Sequence, residues 1–350
     1  MRIFTYLNVE PSSDVAPYNR LKNAAAPYSH ERLTMSKRSK RTLTVSGVAV
    51  ATAMLSAALA PVAQADTSAV TRSDTASTAD AYFAGTLLGG NEVPTSGGPA
   101  VGDKDGKAVA VVRIRGNEVS YAVRWEGTDT PTAFHIHQGK AGKNGDVKVG
   151  FFMEALPGGS KAILGSVRIN DGGLLARIRK NPKNWYLNLH TAEFPGGAVR
   201  AQMHRISPTN LAGVLAAGVR PVYHSDADGR QEVPAPGKKV GDPNGRAEWL
   251  VGIKGSKVYY ATIWKKLAAP TNGHIHRGKK GRNGDVVIDF FAAPNGLPRS
   301  VTGIAGTASV KPGIARGIKK NPKNWYTNLH TTEFGGGAVR GQLYRSGSGW

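Results

Sequence analysis

The sequence predicts an all-β protein of two antiparallel, Greek-key-like β-sandwich domains in tandem, and three observations predict it. The first is a duplication. NEVP at Asn91–Pro94 answers QEVP at Gln231–Pro234, and YAVRW ending at Trp125 answers YATIW ending at Trp264. NPKNWYLNLHTAEFPGGAVRAQM (Asn181–Met203) answers NPKNWYTNLHTTEFGGGAVRGQL (Asn321–Leu343). A repeat this long means two globular domains rather than a solenoid. The second observation is runs of β-branched and aromatic residues around glycine turns. The third is 44 Gly and 20 Pro in 350 residues, which supply turns and leave little room for long helices.

Along each unit the strands follow in order. AVAVVRIRGNEVSYAVRW (Ala108–Trp125) reads as a hairpin about Gly-Asn, and AEWLVGIKGSKVYYATIW (Ala247–Trp264) carries Gly-Ser at the same place. FHIH (Phe134–His137) is a third strand and DVKVGFF (Asp146–Phe152) a fourth, separated by a glycine loop ending in Asn144-Gly145. NWYLNLHT alternates, with Trp185, Leu187 and Leu189 facing one way and Tyr186, Asn188 and His190 the other. GGAVRAQM closes the unit as a last strand. A short helix fits GLLARIRK (Gly173–Lys180), while the matching GIARGIKK (Gly313–Lys320) contains an internal glycine. SPTNLAGVLAAGVRP (Ser207–Pro221) joins the units, and its apolar residues favour a short helix packed between them.

The ends of the chain define the remaining segments. Lys37, Arg38, Lys40 and Arg41 precede the apolar run Leu43–Ala60, which is followed by PVAQAD. That is the order of a secretory signal, with cleavage expected after Ala65 and a secreted, extracellular product. A signal begins at its own methionine, so Met35 is the expected start and residues 1–34 an extension that is not translated. Residues 66–80 are expected to be a disordered linker, 81–206 the first domain, 207–221 the inter-domain linker and 222–346 the second domain. Removing residues 1–65 takes eight Lys/Arg and three Asp/Glu from a net charge of +22 and leaves +17. Such a charge favours acidic partners. Without cysteine, disulfides, thiolate nucleophiles and Cys-based metal sites are excluded. No nucleic-acid reader motif accompanies the charge, and no membrane attachment is expected once the signal is removed.

The ordered set N/Q-E-V-P, H-I-H-x-G-x-x-G-x-N-G-x-V and N-P-x-N-W-Y-x-N-L-H-T-x-E-F-x-G-G-A-V-R-x-Q resembles the CHRD domain. That repeat is found in the growth-factor antagonist chordin and in secreted bacterial proteins. The resemblance covers nearly all of residues 81–205 and 222–345 and implies an extracellular all-β module. It carries over no growth-factor binding, which in chordin relies on cysteine-rich domains absent here.

Six of the eight histidines after Ala65 recur at matching positions: His135, His137 and His190 with His274, His276 and His330. Two histidines one apart on a strand share a face, so each trio is a candidate copper or zinc site with an open coordination position. The set is similar to part of the copper site of copper–zinc superoxide dismutases, with Arg200 and Arg340 in the place of that site's arginine. The competing reading is architectural and is the one preferred from the residues alone. A ring donating to a carbonyl pins the glycine loop, and His190 locks a turn through Glu193 or a carbonyl. Catalysis lacks support: there is no G-x-S-x-G, and the recurring carboxylates Glu92/Glu232, Asp103/Asp242, Asp146/Asp285 and Glu193/Glu333 are scattered. The copies have also drifted, as VKVG against VVID illustrates.

Lys140, Lys143, Lys279, Lys280 and Arg282 on the glycine loops, with Arg200 and Arg340, are candidate anion-binding residues. Trp185, Asn188, Trp325 and Asn328 are expected to be structural. The function expected first is a non-enzymatic, secreted module, monomeric and without cofactor. Its expected ligand is an extracellular or cell-envelope component, an anionic polymer or protein. The alternative is a histidine-based copper or zinc protein, and a third is a purely structural repeat.

Overall fold

The computed structural model describes residues 79–346. The expected start at Met35, the signal and most of the 66–80 linker lie outside them. The first repeat contains β1 (Ala81–Leu88), β2 (Lys107–Arg115), β3 (Glu118–Glu126), β4 (Pro131–Gln138), β5 (Val147–Phe152) and β6 (Ser160–Arg168). After α1 (Gly172–Lys180) come β7 (Trp185–Thr191), β8 (Val199–Gln202) and β9 (His204–Ile206), and α2 (Leu211–Ala216) then leads to the second repeat. There the corresponding elements are β10 (Tyr223–Asp228), β11 (Arg246–Lys254), β12 (Lys257–Lys265), β13 (Pro270–Arg277), β14 (Val286–Ala292) and β15 (Val301–Ser309). They continue with α3 (Pro312–Lys320), β16 (Trp325–Thr331), β17 (Val339–Gln342) and β18 (Tyr344–Arg345).

Each repeat forms two antiparallel layers. One is β1–β2–β3–β6, the other β5–β4–β7–β8. The chain changes layer at the buried Met203: β8 meets β1 only at Arg200–Leu88, and β9 then runs along β1. The inner faces supply the core, where Tyr121 of one layer packs on Phe134 and Phe151 of the other at ring distances of 5.9 and 4.4 Å. Trp185, Leu187 and Leu189 turn inward, as their alternation predicts, and are buried.

The helices follow local chemistry. The Asp171 carboxylate accepts the Leu174 N–H at 2.8 Å and caps α1, whose Leu174, Leu175 and Ile178 are buried. Pro312 opens α3. The internal Gly317 that weakens the helical pattern has a packing reason, since a Cβ there would lie 2.7 Å from the Trp325 ring.

Beyond β1, β9, β10 and β18, the strands not read from the sequence are β6 and β15. SKAILGSVR and VTGIAGTAS are rich in small residues and alternate poorly, so the sequence does not single them out. In the fold they pair with each other, Ala162 opposite Ala305 and Ile163 opposite Ile304. One sheet therefore runs β1–β2–β3–β6–β15–β12–β11–β10 through both repeats. The two repeats thus lie within one compact unit. The small residues make room for α2, whose Leu215 is buried against Ala162, Ala261 and Ala305.

Gly165 is the residue on which this junction is least forgiving, because a Cβ there would overlap the Ser300 carbonyl of the other repeat. Gly165→Val is expected to uncouple the repeats. Thermal unfolding followed by calorimetry should pass from one transition to two, and an unchanged single transition would contradict the junction's role.

Candidate metal centre

The outer face of β4–β7–β8 is polar yet buried. Alternation on β4 sends Phe134 and Ile136 into the core and His135 and His137 outward. Register places His135 beside Asn188 and His137 beside Tyr186, and next to these on β8 stand Arg200 and Gln202. An outer sheet face of this composition ordinarily meets water. Here the glycine loop after β4 folds over it.

Arg200 holds that loop. Its guanidinium donates to the Asn144 side chain at 2.9 Å and to the Lys143 and Lys140 carbonyls at 2.7 and 3.2 Å. Asn144 in turn donates to the Val93 carbonyl at 2.8 Å, tying the loop to the NEVP segment. Gln202 reaches the Gly139 carbonyl at 2.9 Å. Tyr186 lies between the flanking strands, stacked on His137 at 4.7 Å with the Arg200 guanidinium 3.4 Å from its ring centre. Arg340, Tyr326 and His276 repeat this arrangement at 3.5 and 4.7 Å. The loop's glycines are required by this closure: a Cβ on Gly145 would collide with the Gln138 carbonyl, and Gly142 has φ +72°.

Arg200 and Arg340, candidate anion-binding residues by sequence, lie beneath the loops and not on the surface. Each is 1% exposed, and its donors are engaged with the loop. For the same reason neither stands in for the arginine of a superoxide dismutase site. Lys140, Lys143, Lys279, Lys280 and Arg282 are exposed on the loops' outer surfaces. Trp185 and Trp325 are core residues, and Asn188 and Asn328 are buried in the polar layer.

Within this layer the histidines converge. In each trio one ring nitrogen per residue lies within 4.8 Å of the others, and in the first His135 Nδ1 is 3.3 Å from His190 Nε2. Three nitrogens on one tetrahedral zinc ion sit about 3.4 Å apart, so closure needs shifts of an ångström or so. Ring distances of 5.6, 5.0 and 6.2 Å in the first trio are matched by 5.5, 5.0 and 6.2 Å in the second. The bracing contacts anticipated from the sequence are present as well. His137 Nδ1 donates to the Gly145 carbonyl at 2.9 Å, and His190 Nδ1 to the Pro195 carbonyl, not to Glu193, at 3.0 Å. His276 and His330 do the same with Gly284 and Gly335 at 3.0 and 3.1 Å.

These bonds fix the proton on Nδ1 and leave Nε2 as a bare lone pair, the outer-shell arrangement of metal-ligating histidines. The Nε2 atoms of His137, His276 and His330 are buried and have no partner. Burial lowers the pKa of all six rings, His135 to about 4 and His274 to about 3, and neighbouring imidazoles add to the effect at His135, His137, His274 and His276. All are therefore neutral near pH 7, the form that binds metal. The arrangement suits an all-nitrogen site for zinc or copper(II) with a position left open.

Sequence reasoning missed Glu92 and Glu232, which it left among scattered carboxylates. Burial raises both to about 7 even though Arg200 or Arg340 and a bond from Asn188 or Asn328 pull them down. Glu92 accepts from the Asn188 amide at 3.4 Å, and its other oxygen lies 2.7 Å from where a Gly197 Cβ would stand. With φ +136°, Gly197 of the GGAV motif is open to glycine alone. The missed signal was positional: Glu92 recurs with Asn188 and Arg200 in both copies, and only the fold brings them together.

The CHRD domain family matches the chain at residues 83–203 and 223–343. No curated protein and no solved structure matches it.

Burial of the two glutamates gives stability a definite sign against pH. The folded carboxyl keeps its proton up to about 7, whereas the unfolded one releases it near 4.5. The folded state therefore binds more protons in that window and loses stability as pH rises through it. The Glu92→Gln, Glu232→Gln variant should match wild-type stability near pH 4.5 and exceed it at pH 8, by on the order of 3 kcal/mol per glutamate. A difference that does not grow with pH would contradict this.

Proposed function

The chain belongs to the CHRD-domain family, with two copies in tandem, and from that premise we propose that it is a metal-binding module in which each repeat holds one transition-metal ion. The observation that carries this is the convergence of three neutral imidazoles, twice, with backbone carbonyls on the far side of two rings in each trio. A loop brace alone would need one bonded nitrogen per ring. In the second trio it would not leave three converging ring nitrogens without a partner, an arrangement that is costly when nothing fills it.

His137 and His190 would bind through Nε2 and His135 through Nδ1, with His276, His330 and His274 in the same roles. A bound ion would supply Lewis acidity and an exchangeable fourth position. Three neutral donors leave the charge of the ion uncompensated, which favours an anionic fourth ligand. Among the described residues the candidate metal groups contain histidine only. The role proposed is accordingly to hold an ion, or a ligand through it, without turnover. Export is part of the proposal and rests on the signal-like pattern before Asp66.

Zinc or copper loading of the purified chain should approach two ions per molecule. His137→Ala should reduce this to one, and His137→Ala with His276→Ala to none. Loading near zero in the wild type, or unchanged in the double variant, would dismiss the proposal.

A second reading draws on the exposed lysines and Arg282. The buried guanidinium below each loop fixes a cationic surface in place, suited to carboxylated or phosphorylated polymers. Two such loops on one unit would add through avidity. On an anionic polysaccharide column the chain should elute with moderate salt even after chelation. Retention indifferent to ionic strength counts against this role for the loops.

A further inference from the structure

The two repeats differ where the ring of His135 or His274 meets the neighbouring strand. On the strand beside the HIH segment, His135 pairs with Gly150 whereas His274 pairs with Asp289. The Asp289 carboxylate lies 3.3 Å from His274 Nε2, on the side of the ring facing away from the trio. Gly150 offers nothing to the equivalent atom, and His135 Nε2 is buried without a partner.

This difference sets where the protons reside. A nitrogen beside a carboxylate or a carbonyl must be the one that carries hydrogen. In the second repeat the carboxylate 3.3 Å away favours the His274 tautomer with its proton on Nε2, facing Asp289. Nδ1 of His274 and Nε2 of His276 and His330 are all bare, buried and unpartnered. In the first repeat His190 gives its Nδ1 proton to Pro195, so its Nε2 accepts. The 3.3 Å contact then requires His135 to donate from Nδ1, the atom that would have to bind metal. The first trio is closed by its own hydrogen bond, while the second presents three lone pairs.

We infer that the two centres are unequal: the second repeat fills first, because Asp289 positions and polarises His274, and the first binds more weakly. The inference rests on the metal-binding reading proposed above. To accept an ion the first repeat must break the His135–His190 bond and move the His135 proton to Nε2, where no acceptor waits. Outer-shell partners of ligating histidines typically change affinity by about 10- to 100-fold, and the two sites differ by that order. Such a pair would retain one ion while exchanging the other. Asp289 is a positioning residue here and does not itself touch the ion.

The test is a titration of the metal-free full chain with Zn2+ alone, followed by calorimetry. Two steps separated by about 10- to 100-fold are expected, the tighter abolished by His276→Ala and the weaker by His137→Ala. Asp289 is exposed on β14, so Asp289→Gly should leave the fold intact while drawing the tight step towards the weak one. Gly150 has room for a side chain, the nearest atom to its Cβ position being His135 Cδ2 at 3.9 Å. Gly150→Asp should therefore tighten the weak step, and the two changes together should reverse the order of filling. A gain of affinity on transplanting one carboxylate is not an effect that fold damage produces. Two equal steps in the wild type, or steps unmoved by the exchange, would overturn the inequality and leave the metal reading standing. The absence of any Zn2+ uptake would overturn both.

Discussion

Everything distinctive in this fold depends on a buried guanidinium stacked on a tyrosine. Arg200 and Arg340 lie under the glycine loops with only 1% exposure, and three acceptors of each loop converge on the charge. Burying a cation is expensive, and it is tolerated only when its hydrogen bonds are made in good geometry. That condition dictates the loop sequence: glycines where carbonyls must turn inward, and Asn144 or Asn283 where a side-chain oxygen completes the set. The tyrosine ring supports the guanidinium from below and meets a histidine on the neighbouring strand. Loop, arginine, tyrosine and histidine are thus one stack, repeated in both halves.

The consequence is a second, polar core on the outer face of a sheet that already has an apolar core on its inner face. Water is kept from the histidines by the loop, which is why burial lowers their pKa. The bracing role and the metal-binding role are therefore compatible. The carbonyls of Gly145 and Pro195 brace His137 and His190 through Nδ1, and by doing so they direct Nε2 towards the trio. A structural hydrogen bond on one side of an imidazole is what prepares the other side as a ligand.

Duplication adds a further layer. The repeats are joined by the β6–β15 ladder and by Leu215 of the linker helix, so the two centres sit on one continuous framework. Within that framework the copies have diverged. Differences fall in the core, as at Ala110 against Trp249, as well as on the surface, and Gly150 against Asp289 falls on the back of a ring in the trio.

Alternation, turn residues and the internal repeat determined much of this from the sequence alone: the all-β class, the hairpins, the inward face of Trp185, Leu187 and Leu189, and Tyr186, Asn188 and His190 together on the other. Those features are local or periodic, and side-chain period settles them without reference to distant residues. Strands β6 and β15 escaped because small residues chosen to admit a helix leave no amphipathic pattern. Arg200 stands among the candidate anion-binding residues of the sequence because charge in a sequence carries no information on depth. Only tertiary structure folded the glycine loop onto the sheet, and with it decided that Arg200 is buried, that Glu92 holds its proton to about 7, and that three histidines from two strands meet. Each of these depends on contacts between segments 55 to 96 residues apart in the chain, and no local pattern encodes such distances.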